Sequence, residues 1–459
     1  MRKTKRRMET LSFYDRTGVE RHLEQMAEKG WMIDRISNLG WVYRRIEPQK
    51  LQFSVTYYPK ASDFDPGPSE DQQVYHAFSA YAGWKYVCSW VQMQIFCTNQ
   101  PDPVPIETDP ELELQTIHAA MVKGFLVPYG ILLVIALVWS AMLVHDVLYD
   151  PIGLFSSTTN LFLMVVWPLL ALLFIVEIVA YLRWRSRAKK AAACGEFIDT
   201  PNTRRFQRIV YCVCMLAFAV EMLYNVTAGS SMLRVTSIAM VLYVFVLMVV
   251  VQGVKQLLKR KKVSRKVNRA VTLTVDVVLA FGMMAAIVFG TLRATQNGWL
   301  DTKTAVEASP LTLEELWRNE LPEADYHSDW TETAASPLVA VYDVRERGST
   351  NGADVFIPSL DYTVTEVKLP ALYGRCRAQL LEKEISLNWR QVSFSTKRIA
   401  TPCDAAPWGA NEAWQVAWEN EIPSDDYLLC YDRNLVEISF SWTPTDEQKA
   451  LVGEKLGDL

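Results

Sequence analysis

The sequence predicts a multi-domain chain: an N-terminal α+β two-layer sandwich made from a duplicated helix-strand-strand unit, a five-helix transmembrane bundle, and a C-terminal α+β domain. Three observations predict it. Five apolar runs, each long enough to supply the ~20 helical residues that cross a bilayer, crowd into residues 124–292. The connections between these runs alternate between strongly basic and free of Lys and Arg. A helix-Gly-Trp pattern occurs at Gly30-Trp31 and returns at Gly83-Trp84, 53 residues later. With 50% hydrophobic and 21% charged residues, the chain is neither disordered nor embedded in lipid from end to end.

The first domain, residues 1–110, starts with a helix over Gly18–Gly30, where Val19, Leu23, Met26 and Ala27 share one face and Gly30 ends the helix. Strands follow over Trp31–Ile36, Trp41–Ile46 and Leu51–Tyr58. A second helix over Val74–Ala82 leads through Gly83 into strands Trp84–Trp90 and Val91–Cys97, with Pro48 and Pro101 each 18 residues past the Gly. The expected result is two helices over one antiparallel sheet. Trp31 and Trp84 have faces that bind cations or bases, but each follows a helix-ending Gly and is expected to seal the sheet. His22 and His76 lack partners at metal-ligand spacing and are expected to face solvent.

The residues Leu23-Glu-Gln-Met-Ala-Glu-Lys-Gly-Trp31, Tyr43 with Glu47-Pro48, and Tyr81-Ala-Gly-Trp-Lys-Tyr-Val87 resemble a bacterial family known as domain of unknown function 2812, over about residues 10–100. The resemblance implies a Firmicutes-type protein with membrane segments after the domain, near transcriptional regulators of the PadR type. It implies no catalytic residue.

After a linker over 111–123, the membrane domain spans 124–293, with crossings at about 124–143, 161–182, 209–228, 233–254 and 270–292. Trp139, Tyr181 and Trp184 suit the head-group zone. The connection 183–208 carries eight Lys and Arg against Glu196 and Asp199, and 255–269 carries eight with no acid, whereas 145–160 has none. The positive-inside rule therefore expects a cytoplasmic N-terminus and an extracytoplasmic C-terminus. The Met1-to-Arg7 stretch lies too far from any apolar run to begin a signal peptide.

Glu177, Glu221 and Asp276 fall inside crossings and are candidate functional acids, because an intramembrane charge is costly unless it faces protein or water. Glu177 and Asp276 are expected at a similar depth, where they would share a proton or pair with Lys255.

The last domain, 294–459, is acidic: from Arg293 onward 15 Lys and Arg stand against 28 Asp and Glu, a net charge of −13 that argues against nucleic acid as a partner. Strands are expected over Leu338–Val344, Gln391–Ser395, Ala413–Trp418, Tyr427–Tyr431 and Val436–Trp442, with a helix over Pro370–Glu384 and another capped by Thr443. In an oxidising exterior Cys403 and Cys430 are the candidate disulfide, with Cys376 left over, although three pairings are open.

No Gly-x-Ser-x-Gly elbow, His-Glu-x-x-His, phosphate loop or dinucleotide fingerprint is found, so no catalytic residue, metal ligand or cofactor is assigned. The expected function is non-enzymatic: coupling between domains on the two sides of a membrane, with the lipid bilayer and protein partners. The alternative is a small ion-coupled transporter, or an accessory subunit of one, using the three acids.

Overall fold

A computed structural model of the chain describes residues 4–9, 12–37, 40–300, 309–317, 325–349, 358–382, 384–389, 392–419 and 425–457. Two compact units emerge, one of Met1–Trp139, Val166–Leu216 and Met240–Ala286, the other of Ser140–Val165, Ala217–Ala239 and Ile287–Leu459.

The first unit opens with a β-α-β-β motif, β1 (Thr4–Arg7), α1 (Arg16–Glu28), β2 (Trp31–Ser37) and β3 (Gly40–Arg45). It is repeated by β4 (Gln52–Tyr57), α2 (Glu70–Tyr81), β5 (Lys85–Trp90) and β6 (Met93–Thr98). In both copies the leading strand pairs with the last, giving antiparallel orders β1-β3-β2 and β4-β6-β5. Even the irregularity repeats. A β-bulge falls between Ile33 and Arg35 in one copy and between Tyr86 and Cys88 in the other, a displacement of 53 residues.

The expected single sheet is therefore corrected to two three-stranded sheets. The leading strands complete each sheet internally and leave β2 and β5 as neighbouring edges without a ladder between them. Strand β1 escaped the hydropathy reading because all four of its residues are exposed, which removes the period-two signal.

Helix α1 buries Val19, Leu23, Met26 and Ala27, as the periodicity requires, and Asp15 caps it by accepting from the Gly18 amide at 3.0 Å. Helix α2, capped by Ser69, instead turns Gln72 and Ser79 inward and leaves Val74 and Phe78 exposed. The core continues past the sheets into α3 (Pro110–Met121), whose Ile117, Ala120 and Met121 join it. The segment 111–123, expected as a linker, is thus helical and packed.

A π-turn over Val122–Leu126 joins α3 to α4 (Val127–Tyr149), so that Pro110–Tyr149 is one continuous helix. A short α5 (Pro151–Ser156) precedes α6 (Thr158–Ala192), α7 (Arg204–Thr227), α8 (Ser231–Arg260) and α9 (Arg265–Gln296). Among the described residues five helices are long and apolar enough to cross a membrane, each containing or nearly containing one of the expected crossings. The last turns of α6 run well beyond the apolar stretch because Tyr181, Trp184 and Ala188 pack into the N-terminal core.

The second unit adds α10 (Leu313–Trp317), β7 (Asp325–Ala335), β8 (Val339–Ser349), β9 (Ser359–Val367), α11 (Pro370–Leu381), β10 (Glu384–Trp389), β11 (Val392–Cys403), β12 (Glu412–Trp418), β13 (Asp425–Cys430), β14 (Asn434–Phe440) and α12 (Asp446–Leu456). All eight strands form one antiparallel sheet in the order β10-β11-β12-β13-β14-β9-β8-β7. Alternation along the strands feeds two cores: Leu429 and Val436 pack with Val452 of α12, while their neighbours Leu428 and Leu435 pack with Cys376 and Leu380 of α11.

Two expectations shift here. The helix from Pro370 ends at Leu381, because Glu384 already belongs to β10. Thr445, not Thr443, caps α12, through a capping box with Gln448, and Thr443 donates instead to Asp425. Gln391, expected to start a strand, lies outside the described residues.

Candidate functional site

The densest polar construction in the first unit lies where the N-terminal turn of α1 meets α6 and α7. The need to satisfy helix-end groups starts it: Asp15, already capping α1, also accepts from Thr200 Oγ1 at 2.8 Å. Thr17 and Thr200 are bonded hydroxyl to hydroxyl at 2.6 Å, and Arg204 donates to the Gly18 carbonyl at 2.5 Å. Arg21 pairs with Asp199. Deeper in, Ser12 donates to Glu177 at 2.7 Å and accepts from Gln207 at 2.6 Å, with Thr203 Oγ1 at 3.0 Å. Burial of Asp15 pushes its carboxyl up, while the Thr200 and Gly18 hydrogen bonds pull it back.

A second clamp forms at the loop after β4. Asp63 takes Lys255 at 2.5 Å and Lys259 at 3.3 Å, both from α8, and Asp65 takes Arg265 at 3.2 Å. Asn268 of α9 donates to the Phe64 carbonyl at 3.0 Å. Because Lys255 keeps only 10% of its side chain exposed, Asp63 is the group that makes this ammonium tolerable inside the protein. The N-terminal domain is thereby tied to four helices.

Beneath α1 one guanidinium serves several acids. Arg16 pairs with Glu113, and Glu20, which accepts from the Val55 amide at 2.8 Å, lies in the same field as Glu107. Burial drives Glu20 up to about 7, against the pull of Arg16. Glu107 is likewise pushed up to about 7, by burial and by the Glu113 charge. Near neutral pH this cluster can therefore change its charge with small changes in proton activity.

The three intramembrane acids occupy separate settings. Glu177, 1% exposed, belongs to the α1 seam, and its Oε1 is buried without a partner among the described residues. Glu221 sits in the other unit, in a row of polar groups: it accepts from Thr159 at 3.2 Å, while Asn225 accepts from Thr158 at 3.2 Å and donates to Ser237 at 3.1 Å. Asp276 is half-buried. Among the described residues no hydrogen bond joins Glu177 to Asp276, and Lys255 is engaged by Asp63 instead.

The Cys403–Cys430 bridge is corrected. Cys403 on β11 is paired with Ala413 and Cys430 on β13 with Glu412, so β12 stands between them. Two strand spacings amount to about 10 Å, beyond the ~7 Å that a disulfide tolerates between Cα atoms. Cys376, Cys403 and Cys430 are all free thiols.

The paired motif divides its roles. Gly30 and Gly83 take φ of +77° and +88°, the conformation that stops both helices. Trp84 is buried and donates to the Val104 carbonyl at 2.7 Å. Trp31 is half-buried beside cations of its own chain, with Lys5 and Arg45 at 5.3 and 5.1 Å from its ring. The histidines do not face solvent as expected. His22 contacts Tyr43 and Glu9, at 3.1 and 3.2 Å, and His76 stacks on Tyr86 with ring centroids 4.1 Å apart. Among the described residues no group of His, Cys, Asp or Glu is set to hold a metal.

The doubled motif, its bulges and its helix-stopping glycines together delimit a domain that ends at the π-turn. Residues 16–127 match the family described as Protein of unknown function (DUF2812). No curated protein and no solved structure matches the chain. The DUF2812 segment thus runs from the first residue of α1 to the first of α4, and takes in α3 and the π-turn as well as the repeat from α1 onward, with β1 outside it. Ser12, Glu177, Arg204 and Gln207 lie outside it, as do the Lys255 and Lys259 partners of Asp63. No local pattern marks these contacts, which join residues 165 or more apart. The one legible trace was charge complementarity between the Asp63-Phe-Asp65 loop and the basic stretch 255–269.

Proposed function

We propose that the chain is an integral membrane protein that transmits the state of its C-terminal domain to its DUF2812 domain, as a signalling or regulatory subunit and not as an enzyme. The observation that carries this reading is helix α7. In its first turn Arg204 and Gln207 hold Gly18 and Ser12 of the DUF2812 side. In its last turn Tyr224 donates at 3.0 Å to the Ala335 carbonyl at the end of β7. Its 24 residues form one helix without a break between these two sets of contacts, which supports a covalent path from one to the other. The basic connections support a cytoplasmic N-terminus in the cell membrane of a bacterium of Firmicutes type. The family resemblance supports protein partners, among them a PadR-type regulator.

The transporter alternative draws on the unpartnered Oε1 of buried Glu177. Hydrogen exchange of the full chain in lipid nanodiscs separates the two. With Tyr224→Phe, the coupling reading expects faster exchange over residues 12–23. Unchanged exchange there, together with loss of proton flux on Glu177→Gln in proteoliposomes, would replace coupling by transport.

A further inference from the structure

Where α9 begins, beside the π-turn, the first unit has an open recess of about 730 Å³. Four cationic side chains line it, Lys60, Lys123, Arg265 and Arg269, and among the described residues no acidic one does. Arg265 braces the wall by donating to the Lys60 carbonyl at 2.9 Å while it pairs with Asp65. Among the described residues Lys60 pairs with a solvent-exposed Asp71 at 3.5 Å. Lys123 and Arg269 make no ion pair among the described residues. Four like charges around one recess repel each other, and an anion placed among them removes that cost.

Two further features narrow the anion. Gln92, 6% exposed, lines the recess with its Oε1 buried and unpartnered among the described residues. An acceptor in that position calls for a ligand with a hydroxyl donor as well as negative charge. The recess is also bounded by exposed, apolar Val127, the first residue of α4, so one side is polar and the other continues into a span. A head group at the bilayer interface has this combination of anion, hydroxyl and adjoining hydrocarbon.

We propose that this recess binds the head group of an anionic glycerophospholipid, with the phosphodiester among Lys60, Lys123, Arg265 and Arg269 and a head-group hydroxyl on the Gln92 amide. The proposal rests on the chain lying in a bilayer, and not on the coupling reading or on which leaflet the recess faces. Occupancy would brace the Pro59–Ser62 loop against α9 and so reinforce the Asp63 clamp.

The test uses the full chain reconstituted in nanodiscs of phosphatidylcholine with a minority of phosphatidylglycerol. After re-extraction in mild detergent, native mass spectrometry counts the lipids that remain bound. Phosphatidylglycerol is retained in preference to phosphatidylcholine. Combining Lys123→Gln with Arg269→Gln lowers that retention about thirtyfold, each cation near an anionic surface being worth roughly fivefold. The charge-keeping pair Lys123→Arg and Arg269→Lys restores it, and Lys261→Gln with Lys262→Gln, outside the recess, leaves it unchanged. Equal retention of the two lipids overturns the proposal, as does an equal loss in the Lys261 and Lys262 variant. Displacement by soluble glycerol 3-phosphate at matched concentration overturns the lipid assignment in favour of a soluble phosphate ester.

Discussion

Ser12 and Glu177, 165 residues apart, are joined by a 2.7 Å hydrogen bond at a point where the carboxylate is almost wholly shielded from water. Among the described residues Ser12 is the donor to this carboxylate, and the second oxygen has none. Ser12→Ala should cost about 1–3 kcal/mol, the range for stranding a buried polar group. Glu177→Gln removes the charge at similar volume and should cost less. Thermal unfolding of the detergent-solubilised full chain tests the order, and a Ser12→Ala variant as stable as wild type refutes it.

Asp63 serves two ammonium groups of unequal burial, Lys255 with 10% of its side chain exposed and Lys259 with 32%. Asp63→Asn should destabilise the loop by roughly 2 kcal/mol, since it leaves the more buried ammonium without a counter-charge. Lys259→Ala should change little, because its share of the contact is screened by solvent. Limited proteolysis between residues 59 and 68 reads the difference, and equal cleavage of both variants would count against it.

The paired upward shifts of Glu20 and Glu107 fix the sign of a pH effect. Both carboxyls titrate at about 7 in the folded chain against 4.5 when free, so the folded state holds the extra protons between those values. Stability is full below about pH 4.5 and is lost as pH rises through about 7. An unfolding midpoint measured from about pH 5 to 8 should fall with rising pH, and Glu20→Gln with Glu107→Gln should flatten the slope. A midpoint that climbs over this interval would contradict both shifts.

The two helix-stopping glycines should respond differently to a methyl group. Both hold left-handed φ, which costs an L-residue about 1–2 kcal/mol. At Gly30 the added Cβ also meets the Ile46 carbonyl oxygen at 2.9 Å, part of the backbone, whereas at Gly83 it meets the movable end of Gln100 at 2.8 Å. Gly30→Ala should therefore be the more damaging, and a chemical denaturation midpoint for each variant decides it.

The spans, the paired glycines and the α1 core face were all legible, because each is written in a local period or in a residue with special backbone freedom. Strand β1 was not, since four exposed residues carry no alternation. The seam around Glu177 was hidden for a different reason: its partners come from Ser12, Thr203 and Gln207, polar residues with no pattern until the chain brings them together. Hydropathy likewise marked Cys403 and Cys430 as outer thiols, while their separation depends on the strand order, which spacing does not encode.

The π-turn at Val122–Leu126 sets the phase of everything that follows it. A π-turn accommodates one residue more than the α-helical ladder, and each helical residue turns the chain by about 100°. Excising a single residue there would restore the regular α-helical ladder and leave Tyr129 by the ring of Phe174, 5.2 Å distant, whereas excising one from the α-helix just before it, in α3, would swing Tyr129 away with the span as apolar as before. The chain's angular bookkeeping is thus invisible to any measure of oiliness. A deletion in these five positions is taken up by the turn itself, and one elsewhere in the same apolar run rotates every residue after it by about 100°.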